Sequence, residues 1–170
     1  MRWMWIDRIV ELVPRERLVA IKHVSLAEDH LGDHFAATPT LPAQPIMPAS
    51  LIIEGMAQTA GILVGHAADF RENVILAKIQ KARLDADATP GATLRYTATI
   101  QRLDQSGAAT LGTVELIEPG SDPETIGQID LMFSHVDQGR TDLKLPEHNF
   151  VFSESFQTLL KLSGIKLPTE

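Results

Sequence analysis

The sequence has no cysteine among its 170 residues. That excludes disulfides, thiolate nucleophiles and thiolate metal sites, and it agrees with a reducing compartment, so the cytoplasm is the expected location. Basic residues are also in the minority. Lys and Arg total 15 against 22 Asp and Glu, a net charge of −7, and a chain of that sign is not expected to bind nucleic acid. Long apolar runs are missing. The best one, Leu51 to Val64, is shorter than a membrane span and contains a carboxylate, and the opening M-R-W-M-W-I-D-R lacks the apolar core of a signal peptide. No membrane association is expected. A Gly-rich phosphate loop and a Gly-x-Ser-x-Gly elbow are both absent, so no nucleotide cofactor and no serine-based acyl enzyme are expected. His30, Asp33 and His34 match no ligand spacing, so no metal is expected.

What is present centres on Pro45 to His66, P-I-M-P-A-S-L-I-I-E-G-M-A-Q-T-A-G-I-L-V-G-H. Pro48 suits a first helical turn, where a missing N–H costs nothing, and Ala49 to Val64 carries apolar residues on every face. A helix of that kind must be wrapped by other structure. Only Ser50, Glu54, Gln58 and Thr59 interrupt its apolar surface, and the first three follow one another at i, i+4, i+8 along one line. Glu54 therefore stands as a carboxylate in an apolar setting, which marks it as a functional candidate.

Around the helix, the sequence reads as strands. Ile6 to Leu12 and Leu18 to Val24, joined by P-R-E-R, suggest a hairpin with Val19, Ile21 and His23 on one face and Ala20 and Lys22 on the other. Ser25 to Gln44 has neither period and reads as a long ordered loop, a length often associated with function. After the polar connection Asp69 to Asn73, strands are expected at Val74 to Ile79, at Thr93 to Leu103 with Leu94, Tyr96, Ala98 and Ile100 on one face, at Ala108 to Ile117 and at Thr125 to Val136. Asp137 to Asn149 is polar and turn-rich, and Phe150 to Leu162 suits a short amphipathic helix through Phe152, Phe156, Leu159 and Leu160. The expected organisation is one α+β domain over 1–140, an antiparallel sheet curled around the central helix, with an appendage over 141–170.

These pieces resemble the beta-hydroxyacyl-acyl carrier protein dehydratases, which have the hot-dog fold. The resemblance is carried by I-D-R-I-V-E-L near the start, V-A-I-K-H-V-S at Val19 to Ser25, H-F at His34 and Phe35, P-I-M-P-A-S-L-I-I-E-G-M-A-Q-T-A-G at Pro45 to Gly61, and I-Q-K-A-R-L followed by T-P-G. It implies reversible dehydration of a 3-hydroxyacyl thioester to the trans-2-enoyl thioester without a cofactor. His34 would be the base for the C2 proton and Glu54 the acid for the departing C3 hydroxyl, across a homodimer or a trimer of dimers. The Ala49 amide, with Ser50, would polarise the thioester carbonyl. Gln58 reads first as a structural hydrogen-bonding residue in the helix and second as a substrate contact. Lys78, Lys81 and Arg83 would offer a positive rim to an acidic acyl carrier protein or to coenzyme A, or else form a solvated strand face.

The chain departs from the family pattern at one place. Glu54 follows His34 by twenty positions, about six more than the resemblance implies, the proline after Phe35 is missing, and Ala49 stands where the family has glycine. The extra residues either loop out and leave His34 in place or displace it. Two further readings follow: a thioesterase that uses Glu54 alone to activate water, and a non-catalytic acyl-binding protein.

Overall fold

The computed structural model describes residues 3–136 and 154–165. Helix α2, Ala49–Ala67, runs one residue past His66, where the helix is expected to end, and buries all of its faces but one, with Ile52, Met56, Ala60, Leu63 and Val64 at 2% exposure or less. Pro48 stands just before its first turn as the N-cap residue, not within it.

The wrapping is a single antiparallel sheet of six strands, β1 Arg8–Val13, β2 Arg17–His23, β3 Asn73–Leu84, β4 Thr93–Asp104, β5 Gly107–Ile117 and β6 Glu124–Val136. Their spatial order is β1-β2-β4-β5-β6-β3. The N-terminal hairpin thus joins the later meander through β2 and β4, where Leu18 faces Ala98 and Ala20 faces Tyr96. β4 buries Leu94, Tyr96 and Ala98 as its alternation predicts. β3 and β1 are the edges. The segments read as separate at Val74 to Ile79 and beyond are one strand of 12 residues, β3. Two register shifts, between Leu76 and Lys78 and between Ile79 and Lys81, interrupt its alternation.

In β2 the inward face is the one that carries Ala20 and Lys22. Leu18, Ala20 and Lys22 point inward, whereas His23 is exposed and Ile21 only partly covered. The Lys22 side chain is 6% exposed, with Nζ 2.6 Å from Glu28 and 3.4 Å from Asp7. Two carboxylates supply what burial of an ammonium requires.

The sheet and helix approach closely at one point. A Cβ on Gly55 would stand 2.6 Å from the Tyr96 ring and hydroxyl and 2.9 Å from the Trp5 carbonyl oxygen. Only glycine fits there, and α2 settles onto β4 through it.

The stretch Ser25 to Gln44 is not wholly irregular. It contains a short helix, α1, Asp29–Asp33, held to the core by Leu31 at 2% exposure and by the edge of His30 against Trp5 at 5.0 Å. At the far end of the chain, α3, Glu154–Leu162, supplies the expected amphipathic helix, with Leu159 and Leu160 buried. The expected boundary near residue 140, the turns of Asp137 to Asn149, and Phe150 and Phe152 lie outside the described residues.

Candidate active site

Glu54 sits on the second turn of α2, half-buried. Its Oε1 accepts two hydrogen bonds, one from Gln58 Nε2 at 3.0 Å and one from Trp3 Nε1 at 3.2 Å. Gln58 is 7% exposed and does more than hold the carboxylate. Its Oε1 accepts from the Trp5 backbone N–H at 2.8 Å, and Nε2 also donates to the Trp3 carbonyl at 3.1 Å. The amide thus ties the N-terminal segment to α2 and fixes Glu54 at the same time. The i, i+4 spacing of Glu54 and Gln58 is therefore a physical contact.

This carboxylate opens onto a cavity of about 410 Å³ lined by Trp3, Ala57, Gly61, Ile62, Phe133 and Phe156, together with Val74 to Leu76 of β3. Among the described residues, Glu54 is the one ionisable group in that lining. Trp3 was not legible as a site residue, because nothing in the sequence signals that a residue so far from the helix motif reaches Glu54.

His34 ends α1 as its C-cap residue, with its N–H bonded to the His30 carbonyl at 3.1 Å and its ring 4.3 Å from that of Phe35. The extra residues after it loop out. The Gln44 N–H donates to the Phe35 carbonyl at 2.9 Å, which closes the base of an exposed loop. Inside it the Thr38 N–H donates to the Leu41 carbonyl at 2.9 Å, and Thr38 Oγ1 accepts from the Leu41 N–H at 3.0 Å. The chain then re-enters at Pro45, and the Met47 N–H bonds the Ala88 carbonyl at 2.8 Å to set the start of α2. His34 remains beside that start. It shares a second cavity, of about 350 Å³, with Ala49, Ile52, Leu84 and Asp87.

At the head of α2 the N-cap residue Pro48 offers no side-chain bond. The Ala49 and Ser50 amides precede the first intrahelical donors, Leu51 and Ile52, and both residues are exposed. They are free to meet an incoming carbonyl, as helix N-termini commonly do. Alanine at position 49 keeps that N–H.

Within one chain, His34 and Glu54 do not share a cavity. The cause is helical geometry. Ile52, beside His34, and Glu54, in the other cavity, lie about 200° apart around α2 at 3.6 residues per turn. Lys78, Lys81 and Arg83 are all exposed on β3. Lys81 Nζ donates to Gln128 at 2.6 Å and Arg83 Nε pairs with Asp85 at 2.8 Å. Among the described residues no cluster of His, Asp and Glu could hold a metal ion, and no helix is long and apolar enough to cross a membrane.

The fold is shared with solved structures of low sequence identity. The dehydratase heterocomplex ApeI:P from Xenorhabdus doucetiae superposes with a TM-score of 0.60 at 16% identity, over 81% of this chain and 86% of that one. A Thermus thermophilus protein described as a thioesterase superfamily member gives 0.57 at 14%, over 77% and 88%. The six-stranded sheet curled on α2 is the hot-dog fold. Among sequence relatives, the 3-hydroxyacyl-[acyl-carrier-protein] dehydratase FabZ of Solibacter usitatus is 38% identical over 112 residues, 65% of each chain. That of Geobacter metallireducens is 42% identical over 96 residues, 55% of this chain and 60% of the relative. The match thus spans a little under two-thirds of these relatives' length. The model of the FabA-like domain matches residues 2–117, taking in the whole of α2 and the N-terminal segment that Gln58 ties to it, and the chain belongs to that family.

Proposed function

We propose that the protein interconverts 3-hydroxyacyl and trans-2-enoyl thioesters. The observation that carries this reading is Glu54, among the described residues the one ionisable group lining an apolar cavity, and held there by two N–H donors on one oxygen. Because both donors fall on Oε1, a proton delivered from this carboxyl leaves from Oε2. His34, as neutral imidazole, takes the proton from C2. The C2–H and C3–O bonds break, C2=C3 forms, and the hydroxyl departs as water with the proton of Glu54. The Ala49 amide meets the thioester oxygen as negative charge develops on it. His34 then returns its proton through solvent to Glu54.

The separation of acid and base about α2 supports a site built from two copies, His34 of one facing Glu54 of the other. The unpaired outer edge of β3, with Leu76 and Ile79 exposed at 36% and 45%, is the surface proposed to meet the second copy. Lys78, Lys81 and Arg83 are proposed to receive the acidic carrier or the coenzyme A phosphates. An exposed pair such as Arg83–Asp85 contributes at most about 1 kcal/mol, so exchanging it for a carrier carboxylate is cheap.

The test is incubation with crotonyl and 3-hydroxybutyryl thioesters of acyl carrier protein and of coenzyme A, following enoyl absorbance alongside free thiol. Enoyl absorbance that changes without thiol release supports the reading. Thiol release alone points to a thioesterase, and neither change with either carrier, for these substrates and for their eight- and twelve-carbon homologues, defeats the proposal.

A further inference from the structure

The apolar cavity continues well beyond the acid. Its floor follows α2 from Glu54 through Ala57 and Gln58 to Gly61 and Ile62, a run of about 12 Å at 1.5 Å per residue. Ala57 and Gly61 are the small residues that leave room there. A Cβ on Gly61 would meet the Phe133 ring only at 3.6 Å, an ordinary contact, so the glycine serves space and not backbone geometry. One side is closed by Val74 to Leu76 of β3 and by Phe133 of β6, paired with Leu76. The other contributors are Trp3 and Phe156, the latter on α3.

Helix α3 lies beyond residue 117, where the family match stops, yet it is built into the body of the fold. Leu160 is fully buried and Leu159 is 5% exposed. The Ser163 N–H bonds the Leu159 carbonyl at 3.0 Å, the Ile165 N–H bonds that of Leu160 at 2.9 Å, and Gly164 at φ +73° makes the left-handed exit. The Ile9 N–H of β1 then donates to Ser163 Oγ at 3.1 Å. One end of α3 is thus fastened to the β1 edge while Phe156, two turns earlier, faces the cavity beside the opposite edge, β3. Helix α3 thus reaches from the β1 edge to the lining of the cavity.

We infer that α3 gauges acyl-chain length, with Phe156 as the specificity-determining wall. The inference rests on the acyl-thioester reading above. The thioester end is set at Glu54, and the hydrocarbon lies along Ala57, Gly61 and Ile62 until Phe156 and Phe133 stop it. An apolar wall and an apolar chain recognise each other by fit alone, so the size of the residue at 156 selects length.

The experiment compares wild type with Phe156→Ala, Phe156→Leu and Phe156→Trp on crotonyl, octenoyl, dodecenoyl and hexadecenoyl thioesters, with thermal unfolding of each variant. The expected result is a long-to-short kcat/KM ratio about tenfold higher for Phe156→Ala, intermediate for Phe156→Leu, and lower than wild type for Phe156→Trp. Folded variants that all keep the wild-type ratio overturn the inference while leaving the activity standing. If wild type turns over no thioester, the activity is what fails. Displacement of a fluorescent apolar probe by octanoate, dodecanoate and hexadecanoate then decides the gauge separately. A preference for longer acids in Phe156→Ala upholds it, and an unchanged order refutes it.

Discussion

Replacing Gln58 by Glu keeps the shape of the side chain and exchanges a donor for an acceptor at one atom. In the native protein that atom, Nε2, lies 3.0 Å from Glu54 Oε1 and 3.1 Å from the Trp3 carbonyl oxygen. The bond from the Trp5 N–H to Oε1 survives the change. Two carboxylates about 3 Å apart at an effective dielectric of about 20 to 40 repel by about 3 to 5 kcal/mol, and screening at this half-buried position lowers that to about 2 to 3 kcal/mol. Retaining one shared proton relieves the repulsion in the folded variant, whereas the unfolded chain has free carboxyls that ionise above about pH 4.3. A proton held more tightly when folded means stability that is present at low pH and lost as pH rises. Urea unfolding of wild type and Gln58→Glu at pH 5 and pH 8 is therefore expected to show a deficit about 2 kcal/mol larger at pH 8. Gln58→Met is the control: it strands the buried Trp5 N–H at a cost of about 1 to 3 kcal/mol that does not vary over this range. Equal deficits for Gln58→Glu at the two pH values would refute the placement of Gln58 against Glu54.

Three further outcomes follow from the packing. Exchanging residues 36–43 for two glycines removes the loop beyond the Phe35–Gln44 bond and is expected to shift the melting temperature by no more than about 3 °C, while a collapse of the fold would show that the loop holds His34. Gly55→Ala forces a methyl against Tyr96 and the Trp5 carbonyl, and chemical denaturation should register about 1 to 3 kcal/mol lost, against a small gain if only helix propensity mattered. The cross-strand Arg95–Glu115 pair is bidentate, at 2.7 and 2.8 Å, and the Arg95 hydrogen bonds hold the Glu115 carboxyl below its ordinary value. Its stabilisation, about 1 kcal/mol in this partly exposed setting, is present above about pH 4.5 and lost as pH falls through the lowered folded value, so Glu115→Gln should flatten the acid limb of the stability curve.

The parts of the fold legible in the sequence were those with an unbroken period. α2 announced itself by being apolar all round, and β4 by the alternation of Leu94, Tyr96 and Ala98. In β2 alternation separated the two faces but left open which one is inward, since Asp7 and Glu28, the partners that neutralise the buried Lys22, lie outside the strand. Two bulges hid the continuity of β3, and α1 is too short, with Leu31 its one buried residue, to carry a periodic signal. At the site, Glu54 and Gln58 could be paired by helical spacing, but Trp3 could not, since its bond to Glu54 spans 51 positions. Nor does spacing tell that an insertion closes on itself; the Gln44 to Phe35 bond does.

His34 and Glu54 are proposed to act together only across two copies of the chain. Subunit mixing tests this directly. His34→Ala and Glu54→Gln should each be folded and inactive on a 3-hydroxyacyl thioester. After an equal mixture has exchanged subunits at random, half of the dimers are mixed and each carries one intact pair, so about a quarter of wild-type activity should return. A mixture that has demonstrably exchanged and remains inactive, or a Glu54→Gln variant that is active alone, would contradict the account.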